Sequence, residues 1–142
     1  MLINIRRLLE SKVTAKLIKL STQLYIGWIV FIALLTLIPG KALPQIDWNL
    51  FAFDKVIHFT VFSILTFLGC VSFKNGTYLK RTFIQVLISL SIAILYGTFL
   101  ELMQSFVPDR AFDYADLAAN TAGAVIGVAI FLFFTLKYSS SH

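Results

Sequence analysis

Apolar residues fall along this chain in four long blocks, and most turn-forming and charged residues lie between or before them. The first block runs from about Leu24 to Ile38 and stops at Pro39-Gly40, a pair that ends a helix naturally. The second begins near Val56 and runs to Phe73, the third from about Phe83 to Leu102, and the fourth from about Leu117 to Leu136. A hydrocarbon layer ~30 Å thick takes roughly 20 helical residues, so each block reads as one crossing, the short first one needing help from its flanks. Ahead of it, Ile5, Leu8, Leu9, Val13, Leu17 and Leu20 recur at helical spacing, with Arg6, Arg7, Lys12, Lys16 and Lys19 mostly on other faces. That pattern predicts a cationic amphipathic helix lying on an anionic leaflet. The predicted fold is all-α: a polytopic membrane protein of four transmembrane helices with an N-terminal amphipathic interfacial helix. The division is a cationic segment, 1–23, and a four-helix membrane domain, 24–142.

Composition strengthens this reading. The 142 residues are 58 % hydrophobic and 13 % charged, with a mean hydropathy of +0.86. A soluble domain carries roughly 25 % charged residues, so the chain is solvated by lipid, and no second globular module fits. The net charge of +5 does not point to nucleic acid, because many of the basic residues precede the first apolar block. Lys74, Lys80 and Arg81 surround the turn at Asn75-Gly76 without an acid, and Lys137 lies in the C-terminal tail. By the positive-inside rule these segments, and with them both termini, are expected in the cytoplasm. Gly40-Lys41-Ala42 has the small residues of a processing site, but the long basic region ahead of the first block favours a retained anchor. Cys70 lies alone in an apolar block and reads as a small buried side chain.

On this topology the connections from about Pro39 to Lys55 and from about Met103 to Asp116 face outward and carry Asp47, Asp54, Asp109, Asp113 and Asp116. Glu101 lies just within the membrane edge. Asp54, Lys55 and His58 are expected to open the second helix, with Asp54 and His58 one turn apart on one face. Glu101 and Gln104 close the third helix, and Asp113, Asp116 and Asn120 lead into the fourth along one stripe. Ionisable groups at such depth cost a few kcal/mol unless paired or wet, so their convergence marks a candidate site. Asp54, and one of Asp113 and Asp116, also suit helix caps. Lys55 suits snorkelling to the headgroups, and Arg110 suits an acid partner or a lipid phosphate. Interhelical hydrogen bonds are the structural reading of His58, Glu101, Gln104 and Asn120.

For chemistry, His58, Glu101, Asp113 and Asp116 are the candidates to move protons, and Asp54, Lys55, Gln104, Arg110 and Asn120 the candidates to bind a substrate. His58 with Glu101, Asp113 or Asp116 has the ligand types for a metal, but one histidine with oxygen ligands at unknown distances is a weak metal set, so no metal is predicted, and no cofactor is identified. No serine elbow, P-loop or paired-histidine zinc helix is present. Gly123 and Gly127 have the GxxxG spacing that lets helices approach closely, here expected to serve packing inside the monomer.

The ordered set Asp54-Lys55-Val56-Ile57-His58, Glu101-Leu102-Met103-Gln104, then Arg110-Ala111-Phe112-Asp113-Tyr114-Ala115-Asp116 through Asn120 to Gly123 and Gly127 resembles the VanZ-like family of bacterial membrane proteins. The likeness covers about Asp54 to Gly127, and this chain is close to the minimal four-helix form, shorter than larger members. The family takes its name from a protein conferring low-level resistance to the glycopeptide teicoplanin, so the resemblance implies a role at the envelope of a bacterial cytoplasmic membrane without fixing a reaction. The leading expectation is an extracytoplasmic polar pocket that binds an anionic lipid-linked or cell-wall-related molecule, with its modification left open. Lys55 and Arg110 would hold the anion while His58 with Glu101, Asp113 or Asp116 handles protons. The expected partners are membrane lipid and a lipid-linked envelope precursor, without nucleic acid; the oligomeric state stays open. Two alternatives are a non-enzymatic accessory subunit and a small ion-coupled transporter. The latter is weakened by the scarcity of ionisable groups in the cytoplasmic halves of the last three helices.

Overall fold

The computed structural model describes residues 2–39, 50–75 and 82–139, and within them every regular element is a helix. These are α1 (Leu2–Thr36), α2 (Leu50–Asn75), α3 (Thr82–Gln104) and α4 (Tyr114–Ser139). Each contains a segment long and apolar enough to cross a membrane: Ile18–Thr36, Phe53–Phe73, Thr82–Gln104 and Tyr114–Lys137. Exposed Leu34, Phe83, Leu95 and Phe133 belong to the lipid-facing surface of such a bundle.

Three boundaries differ from the sequence reading. The first span begins at Ile18 rather than Leu24 and is 19 residues long. Its polar residues are absorbed locally: Ser21 and Thr22 both donate their hydroxyls to the Ile18 carbonyl, at 2.9 and 3.0 Å. The cationic N-terminal segment is continuous with this span in one 35-residue helix. The second helix starts at Leu50 instead of near Asp54, because Leu50-Phe51-Ala52-Phe53 contains no helix breaker. Asp54 therefore lies inside α2 and is not its cap. The cap of α4 is Asp113, whose Oδ1 accepts the Ala115 N–H at 2.7 Å, with Asp116 in the first turn where a carboxylate faces the positive end of the helix. Lys41, Asp47, Lys80, Arg81 and the Gly40-Lys41-Ala42 segment lie outside the described residues.

The helix α2 touches all three others, and its closest neighbour is α4. The reason is glycine: a Cβ on Gly123 would fall on the Phe59 carbonyl oxygen, and one on Gly127 on that of Ser63. The two backbones are in direct contact, as small residues permit, and the spacing serves packing within one chain. The two helices run parallel, since Phe59 meets Gly123 and Ser63 meets Gly127. Inward positions of α3 recur almost every fourth residue: Gln85, Ser89, Ala93, Gly97, Glu101. Phe62, Leu65 and Ile32 fill the centre. The first helix is fastened by polar anchors. Trp28 Nε1 donates to the Val61 carbonyl at 2.9 Å, the Tyr96 hydroxyl to the Ile29 carbonyl at 2.6 Å, and the hydroxyls of Thr22 and Ser72 meet at 3.1 Å. Such interhelical bonds contribute about 0.6 kcal/mol each on average in membrane bundles.

Candidate functional site

The last turns of α1 and α3 meet the first turns of α2 and α4 at one end of the bundle. Gln104, closing α3 and 2 % exposed, donates its Nε2 to the Thr36 carbonyl at 2.9 Å. A helix leaves its last carbonyls without internal partners, so this side chain completes the end of α1. Gln104 is thus one of the interhelical hydrogen bonders expected from its apolar setting, but Thr36 as its acceptor was not legible, because a backbone carbonyl is invisible in side-chain patterns.

One turn inside, His58 of α2 is 4 % exposed and Glu101 of α3 only 1 %. His58 Nδ1 stands 3.0 Å from Asn120 Oδ1 of α4 and 3.7 Å from Glu101 Oε1. An amide oxygen only accepts, so Nδ1 carries the proton and donates it to Asn120. The other ring nitrogen, Nε2, faces Asp54 Oδ1 at 3.9 Å and Asp116 Oδ2 at 3.8 Å. Asp54, His58 and Asp116 thus point ligand-type atoms at one another, all within 4.8 Å, a grouping the sequence reading did not predict as a metal set. Glu101 Oε2 also accepts the Asp113 N–H at a long 3.5 Å, which joins the end of α3 to the start of α4.

Lys55 lies on the next face. Its ammonium bonds Asp113 Oδ2 at 2.6 Å and also pairs with Asp116 Oδ1. The lysine is therefore committed to two aspartates of α4 rather than extended to the headgroups. Its hydrogen bond, reinforced by the capped Ala115 N–H, holds the Asp113 carboxyl below the usual carboxylate range.

Arg110 is set by the turn that follows α3. Its N–H donates to the Val107 carbonyl at 3.2 Å, with Pro108 second in the turn and Asp109 third at a φ of 60°, the pattern of a type II turn. The side chain is half-buried, and its Nε is buried without a hydrogen-bond partner. Among the described residues no carboxylate pairs with it. The structure therefore gathers Asp54, Lys55, His58, Glu101, Asp113, Asp116 and Asn120 into one linked cluster. Gln104 stands beside it on the end of α1, and Arg110 stands in the adjoining turn without an ion pair to it.

No curated protein and no solved structure matches the chain. A family model described as VanZ/LLP1 matches residues 7–135, which takes in most of α1 and α4, all of α2 and α3, and every residue of the cluster. With four helices fit to span a membrane and the linked polar end between them, the chain belongs to the VanZ family and is a multi-pass membrane protein of the cell envelope.

Proposed function

We propose that the polar end of the bundle binds an anionic, lipid-linked or cell-wall-related molecule, and that Arg110 is its main anion contact. The observation that carries this reading is the contrast between the two cations. Lys55 is consumed by Asp113 and Asp116, whereas the Arg110 guanidinium keeps a buried Nε unbonded. A planar guanidinium with free donors suits a phosphate in two-point geometry. Beside it, Asn120 fixes the His58 tautomer, so Nε2 is the ring atom that turns a free lone pair into the site. The family's link to teicoplanin makes glycopeptide susceptibility a relevant phenotype.

The test is binding of short-chain polyprenyl phosphate and pyrophosphate to the purified chain in detergent, with neutral polyprenol as control. Arg110→Gln is expected to weaken phosphate binding about tenfold or more, the size of a lost charge-assisted contact, and Arg110→Lys to recover part of it. Equal affinity for the neutral alcohol, or no change in Arg110→Gln, removes the proposal. The accessory-subunit reading has its own support, because the bonds of Lys55 and Gln104 tie helix ends together. It predicts that Arg110→Gln leaves binding and drug susceptibility alone, while Lys55→Met and Gln104→Leu lower folded yield. Ion-coupled transport has less behind it, as buried Thr66, Ser72, Gln85 and Ser89 deeper in the bundle carry no charge.

A further inference from the structure

His58 Nε2, Asp54 Oδ1 and Asp116 Oδ2 converge with no donor supplied between them. Asn120 accepts at Nδ1, so a neutral His58 presents a lone pair at Nε2 to two carboxylate oxygens. That arrangement is repulsive unless a positive charge sits among the three. A ring proton alone serves it poorly, because 3.8 and 3.9 Å are too long for a hydrogen bond to either oxygen. The same distances suit two atoms bound to one ion. With bond lengths of about 2.0–2.2 Å, ligand atoms lie ~3.4 Å apart at a tetrahedral angle and ~4.2 Å apart at a linear one.

We propose that Asp54, His58 and Asp116 form a binding site for one divalent transition-metal cation, of the Zn²⁺ or Mn²⁺ class, through Nε2 and one oxygen of each carboxylate. The surroundings support this independently of the acids themselves. His58 is 4 % exposed, and its Nε2 has no hydrogen-bond partner while aimed at both oxygens. Asn120, 2 % exposed, accepts the proton of the opposite ring nitrogen, the usual way a metal-bound imidazole is oriented. Lys55 holds the other oxygen of Asp116, leaving Oδ2 for the ion and fixing the carboxylate plane. The nitrogen in the set favours first-row transition cations over Mg²⁺ and Ca²⁺, which prefer oxygen throughout. The Asp54 side chain is 34 % exposed, so water can reach the ion from that side and complete its coordination. The proposal does not depend on anion binding at Arg110.

The full chain in detergent, stripped with a chelator, is titrated calorimetrically with Zn²⁺, Mn²⁺, Mg²⁺ and Ca²⁺. Expected are one Zn²⁺ or Mn²⁺ per chain, bound at least about tenfold more tightly than Mg²⁺ or Ca²⁺. Asp54→Asn and His58→Gln are each expected to weaken binding at least tenfold, and Asn120→Ala about 10- to 100-fold. Asp54→Asn carries the test if His58→Gln folds poorly. Asp54 makes no hydrogen bond to His58, at 3.9 Å, and its charge adds to the repulsion in the empty site, so the metal-free variant should melt no lower than the wild type while losing the rise in melting temperature that Zn²⁺ gives. No saturable binding up to ~1 mM, or binding unchanged in Asp54→Asn and lost when His142 is removed, overturns the site. Loss of this site with polyprenyl phosphate binding intact leaves the Arg110 reading standing, and the reverse result leaves the metal site standing.

Discussion

Asp109 takes a φ of 60° in the turn after α3, a region where most side chains crowd the backbone and Asp or Asn is among the tolerated types. The turn matters because Arg110 is the next residue and its N–H closes the turn on Val107. Asp109→Asn keeps a residue type that this conformation tolerates, whereas a β-branched residue cannot relax there. Asp109→Val is expected to cost about 1–2 kcal/mol, read as a lower melting temperature in detergent, and to weaken any phosphate binding that depends on Arg110. Equal melting of the two variants would show that the turn is not strained. Single residues were the part of the site most legible in the sequence: His58, Glu101 and Asn120 stand out because a polar group in an apolar block demands a partner. Their partners were not legible. His58 and Asn120 are 62 residues apart, and nothing in either helix alone tells which nitrogen meets which oxygen. Lys55 looked like a surface cation for the same reason, its two aspartates being supplied by a helix far along the chain.

Helices were legible because four apolar blocks of bilayer length leave few alternatives, but their ends were less so. The start of α2 was hidden because Leu50-Phe51-Ala52-Phe53 reads equally as a loop approaching the membrane, and the start of the first span because Ser21 and Thr22 mask their hydroxyls on the helix itself. The Gly123 and Gly127 spacing announced a close approach without saying to what; the structure answers with the backbone of α2. Since His58 and Asn120 lie at that same seam, its width sets the geometry of the site. A single methyl group tests this. Gly123→Ala places its Cβ on the Phe59 carbonyl oxygen, and such overpacking typically costs about 1–3 kcal/mol, more where backbone must move. Gly27→Ala in α1 meets nothing within 4 Å and should be neutral or gain up to ~1 kcal/mol of helix propensity. Melting curves of the two variants in one detergent make the comparison, and equal behaviour would mean that α2 and α4 are not in backbone contact.

At the scale of the whole molecule, charge is polarised along the bundle axis. Lys16 and Lys19 near the start of the first span and Lys137 at the end of α4 lie at one end, while Asp54, Glu101, Asp113 and Asp116 lie at the other with Lys55 and Arg110. Four crossings that alternate in direction put both termini at the basic end, and by the positive-inside rule that end is expected on the cytoplasmic side. The site should then face outward, where a lipid-linked wall molecule would meet it. Cys70 is fully buried, so a single introduced cysteine can be read without background. Ala111 is exposed beside Arg110, and Ala111→Cys is expected to react with a membrane-impermeant maleimide in intact cells, while a fluorescent protein fused after His142 matures in the cytoplasm. If Ala111→Cys reacts only after the cells are permeabilised, the acid cluster and Arg110 open to the cytoplasm. Any anion they bind would then have to come from the inner leaflet, and the charge at the bundle's basic end would be doing something other than setting topology.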